Sequence, residues 1–270
     1  MKAFMDINQI PGAVMAFSIN GTNVWTEGFG YTDIENNVST HKDSVWRLFS
    51  ISKSVTSALV GQLMDRHLID LNAEIHKYLS KDFYPFKTFN GSAVNITVRE
   101  VMSHTAGLHM SVFPEDFDKY LIRRADNSDI IDELVSYEGS WPAGGIISTA
   151  DDMLRFANAM LSAYHGNDQD FLSQKTVQEL WTPETIGKIK PDWMGDNEYA
   201  KGWGVIHYPD DLPYPYKTLI WHNGGMSGVS THLTIFPKEN LVGLVFTNRG
   251  EVQYLDHLIK YVAQNFQPFL

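Results

Sequence analysis

Two β-rich runs stand at the beginning of the sequence. Residues 12–19 (GAVMAFSI) and 22–30 (TNVWTEGFG) are separated by Asn20-Gly21. This dipeptide readily supplies the positive φ angles of a tight hairpin turn. The pattern therefore predicts a β-hairpin.

An amphipathic helix is predicted over residues 51–66. Apolar residues repeat there at helical spacing, and we expect the resulting stripe to pack the helix against the core. The stripe consists of Val55, Leu59, Val60, Leu63 and Met64. Ser50 then lies at the N-terminal end of this helix.

Two further helix starts are indicated by capping residues. Thr97 and Glu100 have the spacing of a capping box, in which each side chain binds the other residue's amide. Ser148 precedes Asp151 and Asp152, and its hydroxyl is expected to cap a second helix.

Strand patterns return after residue 200. The runs 203–208 (WGVIHY), 230–236 (STHLTIF) and 241–247 (LVGLVFT) indicate strands, and a turn-like break at Pro237 separates the last two. A closing helix is predicted because its apolar residues fall on one helical face. That face consists of Val252, Leu255, Leu258, Ile259, Val262 and Phe266.

The order of these elements predicts a single α+β domain over residues 1–270. We expect an α+β lobe built from residues 1–49 and 200–270, and a mostly helical lobe over residues 50–199. A cleft between two such lobes is the expected place for a binding site.

Composition and charge exclude several classes of partner. Of the 270 residues, 43% are hydrophobic and 20% are charged, as in ordinary folded proteins. The formal charge of -11 repels phosphate backbones, so nucleic acid is not an expected partner. Because no apolar run approaches the roughly 18 residues that span a bilayer, we expect no membrane span and a soluble protein. Its compartment is left open between the cytoplasm and mitochondria.

Metal and cofactor chemistry have no signature in this sequence. The chain has no cysteine, which excludes disulfides, thiolate metal sites and a cysteine nucleophile. The histidines form no His-Glu-x-x-His motif, so neither a metal nor another cofactor is expected. A Gly-x-Ser-x-Gly motif is also missing, which argues against an ordinary α/β-hydrolase.

The motif Ser-x-x-Lys carries the candidate chemistry. Residues three apart share a helix face, so the lysine amine can reach the serine hydroxyl and accept its proton. The sequence contains two copies, Ser39 to Lys42 and Ser50 to Lys53. The first copy falls in a polar connection, whereas the second opens the strongest helical stripe and is the copy that we favour.

Four segments, taken in order, resemble landmarks of the serine β-lactamase-like and penicillin-binding-protein-like family. Each is a weak signal alone, but together they cover nearly the whole chain at compatible positions. The segments are WRLFSISKSVT at 46–56, ITVREVMSHTAGL at 96–108, AGGIISTADD at 143–152 and HNGG at 222–225.

This resemblance implies a β-lactamase/transpeptidase-like fold, in which helices flank a five-stranded antiparallel sheet beside a helical lobe. The family's nucleophile lies at the mouth between the two, which makes Ser50 the expected nucleophile and Lys53 its nearest base. His104 resembles a helix-end residue that the family uses structurally.

The segment His222-Asn223-Gly224 resembles the family's third motif, carried on the strand that edges the cleft. The resemblance implies a catalytic role for His222 and substrate contacts from Asn223 and Gly224. It also implies that the amides of Ser50 and Gly225 form the oxyanion hole. The two adjacent glycines indicate a close backbone approach.

The family's second motif, Tyr-x-Asn, does not occur in this sequence. It is expected between Leu108 and Ala143, an interval that is short for the family, so we predict a shortened helical lobe. The tyrosines in this interval are Tyr120 and Tyr137. Either of them, or His222, is a candidate substitute for the missing group.

Two functions remain open from the sequence. The first is a serine hydrolase that cleaves a small-molecule or peptide substrate, namely a peptide, an ester or a β-lactam, through an acyl-Ser50 intermediate with slow deacylation. The second is a catalytically weak β-lactamase-like protein with a role in binding or in assembly as a homo-oligomer.

Overall fold

The structure is a computed structural model that describes residues 1–82, 86–107, 141–168, 170–184, 196–211, 214–226 and 228–269. The strands within these residues are β1 (Gly12–Ile19), β2 (Thr22–Asp33), β3 (Val38–Ser39), β4 (Trp46–Arg47), β5 (Lys87–Phe89), β6 (Ser92–Val94), β7 (Ile147–Ser148), β8 (Asp196–Tyr199), β9 (Gly204–His207), β10 (Thr218–Met226), β11 (Val229–Phe236) and β12 (Leu241–Thr247). The main sheet is antiparallel, in the order β3-β2-β1-β12-β11-β10-β9-β8.

The expected antiparallel sheet is present, but it has eight strands instead of five. Its five longest strands, β2, β1, β12, β11 and β10, are adjacent, and the short strands β3, β9 and β8 extend the two edges. The predicted hairpin of β1 and β2 is confirmed. Asn20 and Gly21 in its turn have φ angles of 50° and 78°, the left-handed values that a tight turn requires.

Helices cover both faces of this sheet. Those in the described residues are α1 (Lys2–Asn8), α2 (Ser52–Asp65), α3 (Val98–Met102), α4 (Trp141–Gly144), α5 (Ala150–Tyr164), α6 (Gln174–Leu180) and α7 (Leu255–Ala263). Short 3-10 turns span Phe49–Ile51, Ile75–Lys77 and Gln264–Phe269. The predicted closing helix is α7.

The two faces of the sheet bury separate apolar cores. On one face α2, α5 and α6 pack against β1, β10, β11 and β12, and this core includes Leu48 and Ile51, which flank Ser50. On the other face Leu258 and Ile259 of α7 pack against the alternate side chains of the strands. Because side chains alternate along a strand, the Ser50 turn and α7 lie on opposite faces.

Helix α2 lies where it was predicted, but its buried face is not the predicted apolar stripe. The fully buried side chains of this helix are small ones: Ser52, Ser54, Ser57, Ala58 and Gly61. Leu59 of the predicted stripe is 58% exposed. Ser54 Oγ donates to the carbonyl oxygen of Gly202 at 2.8 Å, and a Cβ on Gly61 would lie 3.0 Å from Leu180. Val55 and Met64 of the predicted stripe do pack against the core, but small residues form the fully covered part of α2, because neighbouring segments approach it there too closely for large side chains.

The two predicted helix starts are present, one of them with a different cap. At α3 the amide of Thr97 donates to Glu100 Oε2 at 2.7 Å, and the amide of Glu100 donates to Thr97 Oγ1, which completes the predicted capping box. At α5 the cap is Thr149, whose Oγ1 accepts from the amide of Asp152 at 3.2 Å. Ser148 is not the cap, because it lies in β7 and pairs with β4.

Candidate active site

Ser50, the candidate nucleophile, lies on the 3-10 turn just before α2. The buried residue before it, Phe49, has a φ of 46°, a value that residues other than glycine rarely adopt. The amide of Leu48 donates to the carbonyl oxygen of Ile146 at 2.9 Å, and the amide of Ile146 donates to Ser52 Oγ at 3.1 Å. The turn is therefore held on both sides of Ser50.

The side chain of Lys53 contacts Ser50 directly. Its Nζ lies 2.8 Å from Ser50 Oγ and 3.1 Å from the carbonyl oxygen of Ala143, so two hydrogen bonds fix the amine. Burial lowers the pKa of Lys53 below its usual 10.5, because a buried environment penalises the charged form. A lysine in this state reaches the neutral amine form that can accept a serine proton.

Strand β10 packs directly against the Ser50 turn. A Cβ on Gly224 would overlap the carbonyl oxygen of Leu48, so only glycine permits this approach. Thr231 Oγ1, on the neighbouring strand β11, donates to the same oxygen at 3.0 Å. A Cβ on Gly225 would meet no neighbour closer than 4.0 Å. Of the two glycines, Gly224 is therefore the one that the close approach requires.

His222, also on β10, is hydrogen-bonded through both ring nitrogens. Its Nδ1 lies 2.6 Å from the carbonyl oxygen of Asn223, and its Nε2 lies 3.0 Å from Tyr199 Oη. A carbonyl oxygen can only accept, so Nδ1 carries the ring proton and Nε2 accepts from the tyrosine. Burial raises the pKa of Tyr199 above its usual 10, so the phenol keeps its proton at neutral pH.

His104 completes a cluster with Tyr199, His222 and Lys53. The rings of His104 and Tyr199 stack with their centroids 5.0 Å apart. Burial lowers the pKa of His222 to about 4, and the nearby charge of Lys53 acts in the same direction. The pKa of His104 is lowered by the same two causes. At pH 7 the cluster therefore combines two neutral imidazoles, a phenol and the side chain of Lys53.

The turn after β8 anchors Tyr199 beside α2. Gly202 in this turn has a φ of 78°, and a Cβ there would lie 2.8 Å from the carbonyl oxygen of Lys53. Lys201 is fully buried, and its Nζ lies 2.5 Å from Glu184 Oε1. Breaking such a buried ion pair is costly, so the turn and the tyrosine before it have a defined position.

Tyr199 is a site residue that no sequence pattern predicts. It lies outside the interval in which the family tyrosine is expected, and β8 has only four residues, too few for a periodic signal. Its position follows from strand register alone. Tyr199 pairs with Gly204, and Gly204 pairs with Trp221, the neighbour of His222.

The other predicted site residues do not join this cluster. Tyr120 and Tyr137 lie outside the described residues, as does most of the interval expected to carry Tyr-x-Asn. The side chain of Asn223 lies on the opposite face of the sheet from His222, because neighbouring residues of a strand alternate.

The first Ser-x-x-Lys copy lies on the protein surface. Ser39 is an exposed residue of the short edge strand β3. Lys42 Nζ pairs with Asp43 at 3.2 Å, and both of these side chains are more than half exposed. Of the two copies, the one formed by Ser50 and Lys53 is half-buried and lies beside other polar groups.

The described ranges hold neither a cluster of metal ligands nor a membrane-spanning helix. No group of three or more His, Asp or Glu side chains there is placed to hold a metal ion. None of the helices in the same ranges is both long and apolar enough to cross a membrane.

Known proteins resemble this chain in both sequence and fold. The Beta-lactamase family model matches residues 1–142 and 114–264. Serine beta-lactamase-like protein LACTB, mitochondrial, of Homo sapiens is 37% identical over 382 residues, which cover 85% of this chain and 69% of the human protein. The Bos taurus protein of the same name is 37% identical over 98 residues, which cover 36% of this chain and 17% of the bovine protein.

Two solved structures share the fold at low sequence identity. The octameric penicillin-binding protein homologue from Pyrococcus abyssi has a TM-score of 0.76 at 16% identity. The match covers 99% of this chain and 76% of the Pyrococcus abyssi chain. The class C beta lactamase from Rhodobacter sphaeroides has a TM-score of 0.69 at 15% identity. The match covers 98% of this chain and 97% of the Rhodobacter sphaeroides chain.

The fold is thus that of the serine hydrolases that include penicillin-binding proteins and class C β-lactamases, as the resemblance implied. The chain belongs to the β-lactamase family.

Proposed function

We propose that this chain is a serine hydrolase that cleaves an amide or ester through an acyl-enzyme on Ser50. The observation that carries this proposal is the 2.8 Å contact between Lys53 Nζ and Ser50 Oγ. The contact lies on a turn that packs against Gly224 of β10, beside the buried ring of His222 and the half-buried phenol of Tyr199. A lysine with a purely structural role on the surface would not be expected to contact a serine hydroxyl in such surroundings.

Acylation would begin when neutral Lys53 accepts the proton of Ser50 Oγ. The oxygen attacks the substrate carbonyl carbon, and the carbonyl π electrons move onto its oxygen to form a tetrahedral oxyanion. When the oxyanion collapses, the bond to the leaving amine or alcohol breaks. The leaving group takes the proton from the Lys53 ammonium, so protons and charge balance.

The amides of Ser50 and Gly225 are proposed to bind the oxyanion. Gly224 supports this role, because its contact with the carbonyl oxygen of Leu48 brings β10 against the nucleophile turn. Donors of this kind typically contribute about 2.7–4 kcal/mol each to transition-state stabilisation.

Deacylation needs a base on the far side of the cleft, and Tyr199 with His222 is proposed to supply it. Water would give a proton to Tyr199 Oη while the tyrosine passes its own proton to His222 Nε2, along the existing 3.0 Å hydrogen bond. The hydroxide attacks the acyl carbon, and the bond to Ser50 Oγ breaks when the tetrahedral intermediate collapses. Ser50 Oγ regains its proton from the hydroxyl of the product acid through Lys53, the product leaves as a carboxylate, and His222 releases its proton to solvent. The pKa of His222 is lowered to about 4, so it is a weak base and this step should be slow.

A shortened helical lobe remains part of the proposal. The matched stretch of 382 residues is longer than this chain of 270, so the human relative has residues within the match that this chain lacks. We also propose the mitochondrial location that the human relative's name gives. Fractionation of cells that express the tagged chain would test this location.

Pre-steady-state kinetics with an activated ester and with a β-lactam would test the proposed function. We expect a burst of about one product per Ser50, followed by slow turnover, because the acyl-enzyme accumulates. Rapid turnover without an acyl-enzyme would contradict slow deacylation. Absence of any acyl adduct together with concentration-dependent assembly would favour the binding or assembly role, which the octameric Pyrococcus abyssi homologue illustrates.

A further inference from the structure

A cavity of about 550 Å³ lies between the sheet and α7. Its floor is formed by β10 and β11, and its wall by residues 251–256, which lead into α7. Small-molecule sites are commonly cavities of about 300–1,000 Å³. The volume is therefore large enough for a bound organic molecule.

The cavity is separate from the Ser50 site. The side chains of Trp221 and Asn223 line it, whereas their neighbour His222 faces Tyr199 on the other side of the sheet. Alternation along one strand thus places the two sites back to back. A molecule in the cavity would lie behind β10 and would not touch Ser50.

His232, one of the residues that line this cavity, has a buried polar atom without a hydrogen-bond partner. Its side chain is 6% exposed, and its Nε2 makes no hydrogen bond. The ring stacks on Trp221, with the centroids 5.5 Å apart and the planes inclined by 7°. Buried polar atoms normally have a partner, so a hydrogen bond from a ligand would satisfy this one.

The chemistry of His232 sets one requirement on the ligand. Burial lowers its pKa to about 4, so the ring is neutral at pH 7. Nε2 is then a donor in one tautomer and an acceptor in the other. A ligand group that both donates and accepts, such as a carboxamide or a hydroxyl, suits either form.

Lys260 adds a second requirement. Its side chain is 3% exposed, and its Nζ contacts Asp256 Oδ2 at 2.8 Å and Tyr208 Oη at 3.4 Å. An ammonium group has three N–H donors, so these contacts leave one donor that a ligand oxygen can accept. The carboxylates of Glu251 and Asp256 outnumber this single ammonium around the cavity, which disfavours an anionic ligand.

We propose that the cavity binds an uncharged aromatic molecule that carries a carboxamide or hydroxyl group. Its ring occupies the space beside the stacked pair of Trp221 and His232. Its polar group hydrogen-bonds to His232 Nε2 and to Lys260 Nζ.

Titration of the protein with benzamide, followed through the indole N–H signal of Trp221 by two-dimensional NMR, tests this proposal. The signal is assigned by its loss in Trp221→Phe. We expect a saturable shift with a dissociation constant of about a millimolar, the range usual for so small a ligand. The indole signal of Trp203, buried in the core on the other face, is the internal control and should not move.

Two comparisons separate specific binding from general affinity for an apolar cavity. Benzoate differs from benzamide by its negative charge. It should bind to the unmodified protein at least about tenfold more weakly than benzamide does. His232→Phe keeps a stacked ring but removes Nε2. It should weaken the binding of benzamide by about threefold to tenfold and leave the affinity for toluene unchanged. The proposal is overturned if benzamide gives no saturable shift up to about 20 mM, if benzoate binds equally well, or if His232→Phe leaves its affinity unchanged.

Discussion

Tyr199 donates its hydroxyl proton to His222, with 3.0 Å between Oη and Nε2. The direction of this bond follows from the other side of the ring, where Nδ1 must donate to the carbonyl oxygen of Asn223. The hydroxyl proton of Tyr199 is already donated to His222, so it is not directed at a leaving group. The oxygen of Tyr199 can instead accept a proton from water. We therefore expect the pair to act in deacylation.

Tyr199→Phe should slow deacylation by about 10²-fold, because the relay from water to His222 is lost. Acylation should change by less than about threefold, since Lys53 performs that step. Single-turnover kinetics with intact-mass detection measures both rates. Tyr261→Phe is the matched control, because Tyr261 is 70% exposed on α7, and it should leave both rates unchanged. Equal slowing of acylation by Tyr199→Phe would assign the tyrosine to a different step.

Lys53→Met should lower the acylation rate by about 10²–10⁴-fold, because the base is removed. In the unmodified protein the acylation rate should rise with pH as Lys53 loses its proton. The midpoint should lie below 10.5, since burial lowers the pKa of Lys53.

The control for this prediction is Lys42→Met, in the surface copy of the motif, which should acylate at the unmodified rate. A pH profile that is flat from pH 6 to 10, or that rises toward acid, would show that the neutral amine of Lys53 is not the base.

Local signals in the sequence predict the long strands β1, β2, β11 and β12, the shorter β9, and the approximate starts of α2, α3 and α5. The hairpin turn at Asn20-Gly21 and the capping box of Thr97 and Glu100 depend only on neighbouring residues. The position of Tyr199 depends on the pairing of β8 with β9 and of β9 with β10. Contacts between strands far apart in sequence leave no local pattern.

The buried face of α2 could not be predicted for a related reason. A periodic apolar stripe normally faces the core, yet here Ser54 and Gly61 face it because the Gly202 turn and Leu180 come close. Small residues at a close contact resemble solvent-facing residues in a sequence. The Ser50 and Lys53 contact was predictable because it needs only one helical turn.

The two glycines of β10 should respond very differently to alanine. Gly224→Ala should reduce the free energy of unfolding by about 1–3 kcal/mol, because the new Cβ overlaps the carbonyl oxygen of Leu48. Gly225→Ala should change it by less than about 0.5 kcal/mol, since its Cβ meets no neighbour within 4.0 Å. Urea unfolding of both variants makes the comparison, and similar losses would show that β10 does not pack closely on the Ser50 turn.

Stability should fall as the pH is lowered from about 6.5 toward 4. Burial lowers the pKa values of His222 and His232 to about 4, whereas a histidine in an unfolded chain has a pKa of about 6.5. Between these values the unfolded state binds more protons, so each histidine lowers the free energy of unfolding by up to about 1.4 kcal/mol per pH unit.

Urea unfolding at pH 7, 6 and 5 measures this slope. His232→Phe should make it shallower, because one of the two buried imidazoles is removed. A slope that His232→Phe does not change would mean that His232 is accessible to protons in the folded protein.

Covalent labelling at Ser50 tests the central claim most directly. The unmodified protein, Ser50→Ala and Ser39→Ala would each be treated with a fluorophosphonate and examined by intact mass and peptide mapping. We predict one adduct on Ser50 in the unmodified protein and in Ser39→Ala, and none in a Ser50→Ala variant that still unfolds cooperatively, because the lost hydrogen bond to Lys53 costs about 0.5–1.5 kcal/mol. An adduct that persists in Ser50→Ala, or a folded unmodified protein that forms none, would contradict the account.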